Sequence, residues 1–577
     1  MTMTEKEELL MLRELVKKQQ KKLNEKDTVI QNQDAIIQEK DTVIQNQDTI
    51  IQTKDLIIKE NEELLRRQEI MLENMTQALL HARKKLFGAS TEVTSKMAGQ
   101  MTLFDTNQEL AKELAKVKQT HTVKSHTRVA RQPGIREEML AGLPTEIEEY
   151  MINPQETCTV CGSELKVIGK RIVRTEVEYV PAKLKVKQIV QQVAKCTKCG
   201  TKDSRHTKDH FQAAAIPETI LPHSIATPSL AAQVMYQKFA MGVPFNRQEN
   251  DYYRMGLILS RRNMANWTIR CCEEWLNPIY DRIHAELMKC DILHMDETRI
   301  QCNKEEGKKA GSDSWMWVIQ SGASEAIKAT FFHYSRTRSG DVPKNLLAEF
   351  EGYLTTDAYA AYEKVEGIKR NLCWAHLRRY LVESIPLDSQ GREIPGSKGA
   401  EGREYVNLLF ELEEKMADLD YKEKKETRQT ASRATLDAFW TWVEETSAKP
   451  TTNEKLTKAL CYAQNQRKYL ETFLEDGRLA ISNNLCESHI RPFATARKAW
   501  LFADTPSGAK ANAVMYTLVE TARANELNVY EYLKYLLEQM PQTEFYNHPE
   551  LVKAYLPWSS ELPDKCRLIQ KSKKIYK

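Results

Sequence analysis

The segment LHMDETRIQ, residues 293–301, restricts the possible folds of this 577-residue chain more than any other stretch. The apolar lead-in Cys290-Asp291-Ile292-Leu293 and the β-tolerant exit Thr298-Arg299-Ile300 read as a strand, yet Asp296 and Glu297 stand inside it. A carboxylate within a covered sheet costs several kcal/mol unless it is paired or bound to a metal. The strand therefore needs partners for its acids, and other acids downstream are candidates to share a site with it.

Residues 314–320 and 329–334 carry the aromatic and β-branched side chains that sheets favour, so three successive strands predict an antiparallel meander. Residues 352–356 form a short strand ending at Asp357, with a helix starting behind it. That places the aspartate at a strand's C-terminal mouth, where open α/β sheets put their ligands. Residues 369–374 give a fifth strand that runs into a helix, and Cys373 and His376 form a CxxH there. Farther on, a helix begins near Ser482 with Glu487 in its first turn. Two of the acids have plainer readings: Asp357 as an N-cap, and Glu487 as a capping-box variant after Asn484 or an i,i+4 partner of Arg491. Asp296 is the hardest to explain away, because a strand interior offers nothing to cap.

The N-terminal region repeats itself. KDTVIQNQDAIIQE (26–39) and KDTVIQNQDTIIQT (40–53) are one fourteen-residue unit used twice. Apolar pairs return every seven residues, at Val29-Ile30, Ile36-Ile37, Val43-Ile44, Ile50-Ile51, Ile57-Ile58 and Leu64-Leu65. This period implies a left-handed coiled coil. The stripe is narrow and needs a partner to bury it, so self-association is expected, with a solvated single helix as the alternative. Residues 83–88 (RKKLFG) read as a helix end with a Gly stop, and 90–142 as a polar linker.

Length implies roughly three to five domains. The net charge of +4 is small and hides local imbalance. No run of eighteen apolar residues occurs, so a membrane span is not expected and a soluble cytoplasmic protein is. Of twelve cysteines, four form two close pairs and the rest are scattered or sit in the Cys271-Cys272 doublet, which fits a reducing compartment with one metal site.

Those pairs are Cys158/Cys161 and Cys196/Cys199, two CxxC knuckles separated by thirty-four residues. Two knuckles supply a tetrahedral sulfur cage for one structural Zn²⁺, and the alternating stretch 173–193 between them suits the strands of a zinc ribbon. His206 and His210 could replace one knuckle; a metal-free pair of turns is the plainer alternative. Residues 158–210 hold twelve Lys and Arg against five Asp and Glu, the footprint of phosphate contact or else a solvated basic face. Residues 227–288 read as helices. Within them a helix from Phe245, a turn at Gly256 and a Ser260-capped helix beginning Arg261-Arg262 outline a helix-turn-helix, with those arginines as candidate DNA contacts.

HMDET (294–298), TTDAYAAY (355–362), CWAHLRR (373–379), NNLCESHIRPFATARKAWLF (483–502), SGAKANAVMYTLVETARANELNVYEYL (507–533) and LPW (556–558) resemble the bacterial insertion-sequence transposases of the IS66 family, over nearly the whole chain. The resemblance implies a multidomain α+β protein with a ribonuclease-H-like DDE catalytic core and a helical insertion. The implied divisions are a coiled coil (1–82), a basic linker or DNA-binding region (83–150), a zinc-ribbon-like domain (151–215) and a helical region (216–288). The first part of the core (289–380), the insertion (381–480), the last core helices (481–540) and a C-terminal element (541–577) follow. Ser488 and Ala499 depart from the family, which usually has Arg and often has Asn there.

By this resemblance Asp296, Asp357 and Glu487 fall on the three catalytic positions and hold two Mg²⁺ or Mn²⁺ ions, with Asp296 bridging. Water would cut at the element's terminal inverted repeat, and the freed 3′-hydroxyl would attack target DNA without a covalent enzyme intermediate. Arg491, Arg497 and Lys498 would hold flanking phosphates, Trp500 would pack in the core or on DNA, and the CxxH would be structural. Expected partners are DNA, further copies through the coiled coil, and small accessory proteins of the same element. The chain would be nucleoid-associated. A defective, DNA-binding relative and a nuclease on the same fold are the alternatives.

Overall fold

The structure is a computed structural model that describes residues 47–87, 183–196, 210–216 and 218–568, with a few single positions elsewhere. The heptad pairs before Gln47, most of 88–182, and Cys158, Cys161, Cys199 and His206 lie outside the described residues. Two compact units result. One combines the N-terminal segment with 383–400 and 447–458, and the other contains the remainder.

In the first unit, helix α1 (Gln47–Phe87) leaves Leu64 and Leu65 37% and 57% exposed, so among the described residues this pair of the heptad stripe is only partly covered. The C-terminal half of α1 has another task. Gln77 pairs both ways with the backbone of Leu387, donating at 3.2 Å and accepting at 2.9 Å. Asn74 donates to the Thr452 carbonyl, a His81 ring nitrogen meets that of Ile385, and Lys84 pairs with Glu393.

In the second unit, the described part of the alternating stretch expected to form ribbon strands, 183–193, enters a ladder at its end. Val193–Lys195 (β1) pairs antiparallel with Phe211–Ala213 (β2), while 183–192 are exposed and unpaired by any ladder. Helices α2 (Phe245–Arg254) and α3 (Arg261–Cys271) follow the expected outline: Gly256 turns the chain at φ +87°, and the Ser260 hydroxyl accepts the Asn263 N–H at 3.2 Å. Arg261 and Arg262 are exposed at the start of α3.

The meander is present as strands β3 (Ile292–Cys302), β4 (Asp313–Ser321) and β5 (Thr330–Ser335), all antiparallel. Tyr353–Thr356 (β6) and Lys369–Leu372 (β7) add parallel strands on the other side of β3, giving the order β5-β4-β3-β6-β7. The acid-bearing strand is therefore central. After β7 come α4 (Trp374–Glu383) and the expected helical insertion, α5 (Lys398–Lys415), α6 (Arg433–Ser447) and α7 (Glu454–Leu470). The chain returns in α8 (Asn484–Trp500), and Phe502–Ala503 (β8) pairs with the far end of β3.

Helix α9 (Pro506–Ala524) closes the open edge of β5: Thr517 and Thr521, one turn apart and fully buried, accept the N–H groups of Phe332 and Thr330 at 2.8 and 3.1 Å. An edge satisfied in this way is unavailable for pairing with another chain.

One buried cation ties the insertion to the segment leading into α8. Arg428 has no exposed surface; it pairs with Glu413 at 2.6 Å and donates to the carbonyls of Phe473, Asp476 and Leu479 at 2.7–2.8 Å. Arg428→Ala strands a largely buried carboxylate and three carbonyls, so the first denaturant-induced transition should lose about 3–5 kcal/mol. An unchanged midpoint would show that the clamp contributes nothing.

Candidate active site

The two acids of β3 meet different fates. Glu297 has a fully covered side chain. Arg338 Nε donates to it at 2.8 Å and the Tyr362 hydroxyl at 2.6 Å. Burial raises its proton affinity, and those two donors offset part of the rise. Arg338 is held in turn over the rings of Tyr359 and Trp315, 3.8 and 4.7 Å from their centroids. Sequence reasoning missed this pair, because Arg338 lies forty-one residues away and no local pattern marks it.

Asp296 has no such relief. Its Oδ1 accepts only the N–H of Glu297, at 2.8 Å, and it makes no ion pair among the described residues. Burial, followed by the charge of Glu297 and then those of Asp357 and Glu487, pushes its carboxyl up to about 8. Asp357 and Glu487, far from Asp296 in sequence, are thus near enough in the fold to repel its charge.

Asp357 follows β6 directly. Its Oδ1 accepts the Tyr359 N–H at 2.9 Å, shaping the turn before a 3-10 helix, Ala360–Lys364, in place of a full α-helix. Glu487 stands in the first turn of α8, and the plainer readings of it find no support: neither Glu487 nor Arg491 makes an ion pair among the described residues, and the helix start has no side-chain cap. Asn483 positions this start. Its buried amide donates to the Met295 carbonyl at 3.1 Å and meets His294 Nδ1 at 3.0 Å, so the residue before Asp296 is fastened four positions before Glu487. Burial lowers His294 to about 4, which keeps its ring neutral and lets Nδ1–H donate to the amide oxygen.

The other expected residues are dispersed along these elements. Arg497 donates to the Arg299 carbonyl, Lys498 is exposed, and Arg491 is half-buried. Trp500 takes its core role, meeting Phe493 edge-on at 5.8 Å. Cys373 and His376 lie at the start of α4, next to Glu487. Of the zinc-knuckle cysteines only Cys196 is described, and it is exposed.

Hard, oxygen-seeking divalent ions suit a group of carboxylates that lack cationic partners. A pKa higher in the folded state than in the unfolded one favours folding below about pH 4, and that advantage is lost as pH rises to about 8. In magnesium-free buffer Asp296→Asn should therefore melt above the parent at pH 8, by roughly 2–4 °C for each kcal/mol relieved, and the gap should close near pH 4. Calorimetry showing equal melting temperatures at pH 8 would contradict the burden assigned to Asp296.

Residues 223–511, half of the chain, match the transposase IS66 family. Residues 155–200 match the zinc-finger binding domain of transposase IS66, 517–558 the IS66 C-terminal element, and 74–147 the transposase C of IS166 homeodomain. The uncharacterized protein y4hP of Sinorhizobium fredii (strain NBRC 101917 / NGR234) is 27% identical over 505 residues, covering 82% of this chain and 86% of that protein. The uncharacterized protein y4qI of the same organism is 28% identical, with 71% and 75% covered. A chain of the Drosophila P element transposase strand transfer complex overlaps 53% of this chain and 94% of its own length at 12% identity and a TM-score of 0.27, too slight a likeness to build on. Among the described residues no helix is long and apolar enough to cross a membrane. The chain belongs to the IS66 family of transposases.

Proposed function

We propose that this chain cuts DNA at the terminal inverted repeats of an insertion sequence and joins the freed ends to target DNA, with Asp296, Asp357 and Glu487 as the catalytic acids. The observation that carries this reading is the convergence of these three acids, without cationic partners among the described residues, on the central strand, the end of its neighbour and the first turn of α8. The strand order, three antiparallel strands followed by two parallel ones, supports a ribonuclease-H-like core.

The acids are oxygen donors of the type that holds Mg²⁺ or Mn²⁺. Two such ions, when bound, activate the attacking oxygen and stabilise the leaving one. In the first step a water oxygen bonds to the scissile phosphorus and the strand's 3′-oxygen departs as a hydroxyl. In the second, that 3′-hydroxyl bonds to a target phosphorus and a second 3′-oxygen leaves. No enzyme nucleophile takes part. Arg491, Arg497 and Lys498, on the helix that carries Glu487, face flanking phosphates, and Arg261 and Arg262 at the start of α3 contact DNA farther out. The knuckles Cys158/Cys161 and Cys196/Cys199 hold a structural Zn²⁺ within a basic module, and the heptad stripe brings copies of the chain together.

Oligonucleotides carrying the element's own end sequence provide the test. The parent should nick them only with Mg²⁺ or Mn²⁺ present. Asp357→Asn should reduce nicking on the order of a thousandfold, equivalent to roughly 4 kcal/mol of transition-state stabilisation. Cleavage that survives this substitution, or proceeds without divalent ions, would overturn the proposal.

A further inference from the structure

A second cluster of metal-ligating atoms adjoins the acids. One ligand atom each from Cys373, His376 and Glu487 lie within 4.8 Å of one another. Cys373 precedes α4 directly and His376 sits in its first turn, so the CxxH spacing brings sulfur and imidazole to the same helix end. Glu487 arrives from α8, more than a hundred residues later in sequence.

Each member has unused capacity. Cys373 is fully buried, and its Sγ accepts the backbone N–H of Asn483 at 3.1 Å. His376 Nδ1 is buried and has no hydrogen-bond partner among the described residues. Glu487 makes no ion pair among them. A structural role for the CxxH alone accounts for the buried sulfur but leaves a buried histidine nitrogen unpaired, which proteins rarely tolerate.

We propose that Cys373, His376 and Glu487 bind one zinc-class divalent ion, separate from the ion of the CxxC knuckles. One sulfur, one nitrogen and one oxygen donor suit Zn²⁺ or Co²⁺ and not Mg²⁺, and three protein ligands leave a fourth tetrahedral position to water. Binding displaces the thiol proton to solvent. The glutamate is shared: on the reading of Glu487 as a catalytic acid, an ion held here draws one carboxylate toward α4 and away from Asp296 and Asp357. Zinc then acts as a brake on the catalytic site, while its binding does not depend on catalysis.

The experiment counts metal on the purified full chain. Two zinc ions per chain are expected, falling to one in Cys373→Ser and in His376→Gln, and separately to one in Cys158→Ser. In the cobalt-substituted protein, His376→Gln should weaken the thiolate-to-cobalt charge-transfer absorption, and Asp296→Asn should leave it intact. A failure of the catalytic reading is thereby kept distinct, since it would alter nicking and not the metal count. If Cys373→Ser fails to fold, the half-buried His376 variant gives the same reading. One zinc per chain in the parent, or a count unchanged by His376→Gln, would overturn the proposal.

Discussion

Asn483 is the fastening on which the candidate site depends. Its side-chain amide spans His294 and Met295 on β3, while its backbone N–H reaches the Cys373 sulfur, so a single buried residue joins the central strand, the start of α4 and the start of α8. Side-chain hydrogen bonds in a dry interior are costly to leave unmade. The amide therefore has one satisfactory position, and that position sets Glu487 relative to Asp296. Three carboxylates that repel one another come together because neutral groups hold their backbones.

The long stretch between Asp357 and Glu487 takes on a physical role in this light. Trp374 anchors the insertion against Phe439, Trp440 and Phe473, with ring centroids 5.6–6.4 Å apart, and its indole N–H donates to the Leu470 carbonyl. Arg428 then fixes the turn from Phe473 to Leu479 that feeds α8. The insertion works as a brace for the approach to Glu487. In the other unit, the pairing of the Gln77 side-chain amide with the Leu387 backbone shows that the N-terminal helix has contacts beyond its heptad stripe.

Much of this was legible in the sequence because it is local. Aromatic and β-branched runs marked β4 and β5, Gly256 and Ser260 marked the turn between α2 and α3, and the acids within β3 announced their own cost. The interactions joining distant segments were not legible. The Glu297–Arg338 pair, the threonines of α9 that satisfy β5, and the arrival of Glu487 beside Cys373 and His376 depend on tertiary placement; the CxxH spacing marked two of these last three residues, and nothing local marked the third. Of the expected ribbon, the alternating residues 183–192 are exposed and stand in no ladder among the described residues. Three of its four expected ligands lie outside the described residues.

Crystals of the His376→Gln chain grown with Mn²⁺, in which no zinc ion holds Glu487 toward α4, and their anomalous scattering address the shared site most directly. Manganese peaks should touch carboxylate oxygens of Asp296, Asp357 and Glu487 together, at about 2.1 Å. Manganese bound elsewhere, with any one of these three acids making no contact to it, would contradict a common metal-holding site.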